Sequence, residues 1–177
     1  MHKKYIFLLL LLIAACGFEP LYVEKKHDNQ WYFGGDFDTS ISQEMALVKV
    51  EPISDRFGQI LRNHLIDLLS SKGQPKTPKY RLFVKLASKT ETDQALRSDI
   101  TATRKMTKYL VTYYMMQDTE NVLNGDSVAY SSYDILANPY STTTAKKKGD
   151  EDAAATIAND ISLRLGAYFH KTLTKQE

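Results

Sequence analysis

The chain has one cysteine, one tryptophan and five prolines in 177 residues, and each scarcity excludes something. A single thiol cannot close an intrachain disulfide, so packing alone has to hold the fold. Glycine is sparse too, and no phosphate loop, dinucleotide fingerprint or Gly-x-Ser-x-Gly elbow occurs. His27, His64 and His170 stand far apart, without metal-ligand spacing. No apolar run approaches the roughly 20 residues of a membrane-spanning helix. Charge of one sign is missing as well: 23 Lys and Arg face 21 Asp and Glu, whereas nucleic-acid-binding domains are usually clearly basic. The expectation is a protein that is not an enzyme, holds no cofactor or metal and binds no nucleic acid.

What is present begins at the amino terminus. Lys3 and Lys4, the apolar stretch from Tyr5 to Ile13 and the small pair Ala14-Ala15 before Cys16 have the parts of a secretory leader. Ile13-Ala14-Ala15-Cys16 resembles a bacterial lipobox. There the thiol receives a diacylglyceryl group, the chain is cut before it, and the new amino terminus is acylated, with palmitate the expected chain. The other reading is an ordinary leader cleaved nearby, which leaves a lone thiol unexplained. Each buried methylene adds about 0.8 kcal/mol, so three acyl chains would hold the protein on a bilayer essentially permanently. Gly17, not aspartate, follows Cys16, and the enterobacterial sorting rule would send such a chain to the periplasmic face of the outer membrane. Losing Lys3 and Lys4 with the leader balances the charges.

Expected boundaries are a leader over 1–15, a lipidated terminus and tether over 16–44, and one domain over 45–177. The tether is polar and aperiodic apart from Trp31-Tyr32-Phe33, a cluster suited to its own domain, a partner or the headgroup level of a bilayer. Met45 to Val50 alternates and reads as a strand closed by Pro52. Ser54 or Asp55 can cap a helix whose stripe is Phe57, Ile60, Leu61, Leu65, Leu68 and Leu69, with Gly73 placed to end it in the left-handed conformation. From Tyr80 the period is two: Tyr80, Leu82, Val84 and Leu86 face one way, Arg81, Lys85 and Lys89 the other. A second strand covers about 100–117 and a third about 122–136. Asp118 to Asn121 is taken as their turn and Asn124-Gly125 as a bulge, although Asn-Gly also suits a hairpin turn. Asn138-Pro139 stops the third strand. A last helix, starting between Ser141 and Asp152, carries Ala154, Ile157, Ala158, Ile161, Leu165, Tyr168 and Phe169 on one stripe; Gly149 blurs its first turns, and Lys146, Lys147 and Lys148 sit poorly at a positive helix end.

The predicted order is β-α-β-β-β-α. A strand-helix-strand crossover favours a parallel pair and the hairpins are antiparallel, so the fold class is α+β: a two-layer sandwich, with a four-stranded mixed sheet carrying two helices on one face. His64 falls at the edge of a helical stripe, where a half-buried structural histidine is the expected role. The carboxylate pairs Asp36/Asp38 and Glu151/Asp152 read as solvated surface.

Four stretches in this order resemble one family. "CGFEPLY" (16–22), "ISDRFGQILRNHLIDLL" (53–69), "DITATRKMTKYLVTYYMMQD" (99–118) and "NDISLRLGAYF" (159–169) are similar to the lipopolysaccharide (LPS)-assembly lipoprotein LptE family in its alphaproteobacterial form. The Cys-Gly-Phe-x-Pro-Leu-Tyr start is the most specific piece; "KKKGDED" with Gly149 departs from the pattern. The resemblance implies no catalysis. It implies a partner, the LptD-like outer-membrane β-barrel of LPS transport, which the protein would plug and help to assemble while LPS is inserted into the outer leaflet. Barrel interiors are polar and wet, so the eleven tyrosines interleaved with Lys and Arg suit a plug. Lipid A phosphates need cations, and the candidates are Arg81, Lys85, Lys89, Arg97, Arg104, Lys105 and Lys108, against the plainer reading of a solvated sheet face.

Two other classes remain open at this level. A lipid-anchored periplasmic binding module for a small molecule or glycan requires an apolar pocket with convergent polar groups. A lipid-anchored hydrolase requires a nucleophile beside a base, for which only His64 and His170 are at hand.

Overall fold

The computed structural model describes residues 37–70, 72–96, 102–135 and 137–174; Cys16, Trp31, Tyr32, Phe33 and Arg97 lie outside them. The elements are α1 (Phe37–Ala46), β1 (Val48–Val50), α2 (Asp55–Leu69), β2 (Tyr80–Leu96), β3 (Ala102–Gln117), β4 (Glu120–Asp134) and α3 (Pro139–Thr174). The sheet runs β1-β2-β3-β4, with β1 parallel to β2 and the other pairs antiparallel. The α+β class and the mixed four-stranded sheet are as the patterning predicts.

α2 forms where its stripe demands. Phe57, Leu61, Leu65 and Leu69 recur every fourth position and are buried. Gly58 belongs to the same face, because a Cβ there would lie 2.5 Å from Ile53 Cγ2. Its stripe meets Leu82, Val111 and Met115 from the sheet and Ile157, Ile161 and Leu165 from α3, all at 0 % exposure within one apolar cluster. Burying each such side chain contributes about 1.5–3 kcal/mol. Two aromatic contacts close the layer: Phe57 stacks on Tyr109 at 4.7 Å, and Phe169 tilts against Tyr80 at 5.1 Å. No described helix is long and apolar enough to cross a membrane.

Several boundaries differ from expectation. Residues 37–44, read as tether, form most of α1, and Met45-Ala46 ends that helix rather than opening a strand; Ile41 and Met45 pack on the core and anchor it. Gly73 is left-handed (φ 85°) but lies beyond the helix end, in a turn whose N–H donates to the Ser70 carbonyl at 3.1 Å. The β3–β4 turn is only Asp118-Thr119, since Gln117 pairs with Glu120 and Asp118 supplies the positive φ (52°) that a two-residue hairpin needs. Asn124 and Gly125 pair in register with Tyr114 and Tyr113; the bulge lies at Val122 instead, between the Met115 and Met116 pairings.

The last helix starts earlier than predicted. Asn138 caps it, its Oδ1 accepting from the Tyr140 N–H at 2.9 Å, and Pro139 takes the first helical position, where its missing N–H costs nothing. The dipeptide read as a strand stop is therefore also a helix start. Lys146, Lys147 and Lys148 then fall about two turns inside α3, away from its positive end. Gly149 is buried against β4, where a Cβ would overlap Ser131 Oγ.

Candidate functional site

One register shift decides which side chains share a face. β2 bulges at Ala87, between the Leu86↔Val111 and Ser88↔Leu110 pairs, so the inside–outside alternation reverses beyond it. Arg81 and Lys85 point away from the helices, as predicted. Lys89 does not join them: it pairs across from buried Tyr109 and reaches Asp150 of α3 at 3.1 Å.

The helix-side consequence is a polar seam between α3 and the distal strands. Tyr109 donates a short hydrogen bond to Asp150, and Lys89 sits 5.1 Å from the Tyr109 ring centroid. Burial, then the neighbouring Asp150, pushes the Tyr109 phenol well up. Lys146 bonds Glu91 at 2.5 Å, which raises the lysine and lowers the carboxyl. Lys105 approaches Asp93 at 3.9 Å. Of the seven candidate phosphate contacts, Lys89 and Lys105 thus face α3's side of the sheet; Arg97 lies outside the described residues.

The opposite face is covered by no described element. Cross-strand rows bring Phe83 beside Tyr114, Leu110 beside Val128, and Lys108 beside Tyr130. Phe83 and Tyr114 stack at 4.8 Å, and Tyr114, Val128 and Tyr130 expose 43, 42 and 59 % of their surface. Four of the candidate cations are here. Arg81 donates to Glu51 at 2.7 Å, and Arg104 to Asp134 at 2.8 Å, a bond that raises the guanidinium and lowers the carboxyl. Lys85 and Lys108 have no ion-pair partner among the described residues, and Lys108 hangs 6.0 Å over the Tyr130 ring. These two are the cations best placed to take an anion. A groove of about 380 Å³ opens where the short β1 ends, lined by Pro52, Ile53, Asp55, Phe83, Lys85 and Tyr114.

The cations of this face are among the residues expected from the sequence; its apolar members, Phe83, Leu110 and Val128, are not. The signal was there: Phe83 breaks the polar alternation between Arg81 and Lys85. His64 does not join this face. It lines a separate hollow with Asn63, Asp67, Lys148 and Glu151.

No family model and no curated protein matches the chain. Solved structures do share its fold. A protein of Caulobacter crescentus assigned as a lipoprotein superposes with a TM-score of 0.62 at 22 % identity, over 74 % of this chain and 96 % of its own. Rare lipoprotein B from Shewanella oneidensis gives 0.54 at 10 % identity, over 72 % and 98 %. A minor lipoprotein from Acinetobacter baumannii gives 0.51 at 16 %, over 68 % and 90 %. The fold of this domain is one that bacterial lipoproteins have.

Proposed function

We propose that the chain is a non-catalytic outer-membrane lipoprotein, anchored through Cys16 on the periplasmic side. It partners and plugs the LptD-like β-barrel of LPS transport, assisting barrel assembly and LPS insertion. The observation that carries this reading is the sheet face that no described element covers, where Phe83, Leu110, Tyr114, Val128 and Tyr130 alternate with Arg81, Lys85, Arg104 and Lys108. A solvated sheet face has no need of two stacked aromatic rings and a third under a lysine. A surface that must mate with a wet, polar barrel lumen does, because tyrosine combines rigid contact area with a hydroxyl. The lipobox-like leader and a fold held in common with bacterial lipoproteins support the anchored setting. Within this reading Lys85 and Lys108 are the first candidates for lipid A phosphates, since no described residue pairs with their charges.

Depleting the protein and following both the natively folded barrel and surface LPS tests the proposal. Both should fall together. Unchanged amounts of each would refute it.

A further inference from the structure

The edges of the sheet are defended unequally. β1 is three residues long and carries Lys49. It pairs with β2 only over residues 80–82, and the β2 edge left bare beyond it carries Lys85, Lys89 and the bulge at Ala87. Short strands, lysines and bulges all discourage a further strand. β4 has none of these devices past Val122. Its residues 123–134 hold no lysine, arginine or proline and pair regularly with β3, and no described strand lies on their other side. The same stretch is complementary to itself. Antiparallel pairing about a twofold axis at Ala129 sets Val128 opposite Tyr130 of the second copy, Asp126 opposite Ser132 and Asn124 opposite Asp134, each contact occurring twice. A β-branched residue against an aromatic ring is a stabilising cross-strand pair, and no like charges meet. Neighbouring registers are worse. An axis at Tyr130 puts Asp126 against Asp134, and an axis at Val128 puts Asp134 against Val122, inside the bulge.

The same axis acts on α3. Ala145, Lys148, Gly149, Asp152 and Thr156 form one stripe of that helix, and with residues 130–133 the stripe walls a groove of about 410 Å³. Tyr109 pairs with Ala129 and bonds Asp150, so Asp150 stands at the level of the axis. The twofold therefore lays two α3 stripes antiparallel over the seam, with Lys148 of one opposite Asp152 of the other. Ala145 and Gly149 leave room for that approach. Lys148 and Asp152 are exposed and paired within one helix at 2.9 Å, and across the seam each can take the other copy's charge instead. We infer that the β4 edge and the adjoining α3 stripe bind a second copy of this chain, joining two four-stranded sheets into one of eight. This inference goes beyond the barrel reading and stands without it.

The test is sedimentation of the full chain in detergent over a wide range of concentration, with hydrogen exchange at residues 124–134 followed in parallel. A monomer–dimer equilibrium is expected, and exchange in that stretch should slow as the dimer forms. Ser132→Asp, an exposed change, sets a like charge opposite Asp126 twice in each dimer and should weaken association about tenfold. Ser132→Lys sets an opposite charge there and should tighten it, a gain that a folding defect cannot mimic. Adding Asp126→Ser to Ser132→Asp should restore the original strength. A monomer at every concentration overturns the inference. So does a dimer that neither substitution at Ser132 weakens or tightens, and so does one whose formation leaves exchange at 124–134 unaltered, since both would place the contact on another surface or at an acylated amino terminus.

Discussion

Near β1, the sheet meets its helices through Leu82, Val111, Met115, Ile157, Ile161 and Leu165, none of them exposed. Beyond Ala87, the same sheet meets the first half of α3 through Lys89–Asp150, Glu91–Lys146 and Tyr109–Asp150, with Gly149 laid against Ser131. The proximal half is held by burial, which is non-directional and has no charge for salt to screen. The distal half is held by half-exposed ion pairs, each worth about 0–1 kcal/mol and screened by salt. The difference teaches where the molecule can open: the distal strands and the front of α3 separate at lower cost than the core.

The largest expected effect belongs to the proximal half. Leu82→Ala should lower stability by about 2–5 kcal/mol, read as a shift in the denaturant midpoint. A loss below ~1 kcal/mol would mean that the apolar cluster is not what holds the sheet. Next comes Gly149→Val, which drives a side chain into Ser131 and should cost about 1–3 kcal/mol by overpacking. Its signature is local: amide exchange should rise in 102–108 and 130–134 and stay constant around Leu82, and adding Ser131→Ala should restore part of the loss. Asp150→Asn removes the charge that Lys89 and Tyr109 share, for about 1 kcal/mol. Distal exchange in the unaltered protein should quicken with added salt, and this variant should lose much of that sensitivity.

The smallest effect is a pH dependence. The hydrogen bond from Lys146 lowers the Glu91 carboxyl below its ordinary 4.5. A carboxyl lowered by folding contributes stability that is complete above the unfolded value and is lost as pH falls through the lowered one. Distal opening, read from exchange rates corrected for their intrinsic pH dependence, should therefore be flat above pH 4.5 and rise below it, and Glu91→Gln should blunt the rise. A rise beginning near neutrality would point to some other group.

The sequence made the proximal half legible and the distal half only partly so. Phe57, Leu61, Leu65 and Leu69 declare α2, and Tyr80, Leu82 and Val84 declare β2, because one buried face imposes a period that any reader can find. The bulge at Ala87 has no such mark: alanine suits either conformation, and the bulge is fixed by how β2 lies on β3. Strict alternation carried past it put Lys89 on the wrong face. α1 was missed because Ile41 and Met45 are too few to make a stripe. The start of α3 was missed because Asn138-Pro139 serves equally to end a strand and to begin a helix. On the uncovered face the cations were visible as charges, while which of them are already paired, Arg81 with Glu51 and Arg104 with Asp134, depends on neighbours brought from elsewhere in the chain.

In the proposed function the sheet face that no described element covers, and not the helical side, engages the outer-membrane barrel. Co-purification of that barrel with two folded variants tests it most directly: Lys108→Glu with Tyr130→Ser on the open face, and Asp67→Lys on α2. The first should lose the barrel and the second should keep it, both with an unchanged thermal midpoint. Full recovery of the barrel with the open-face variant would contradict it.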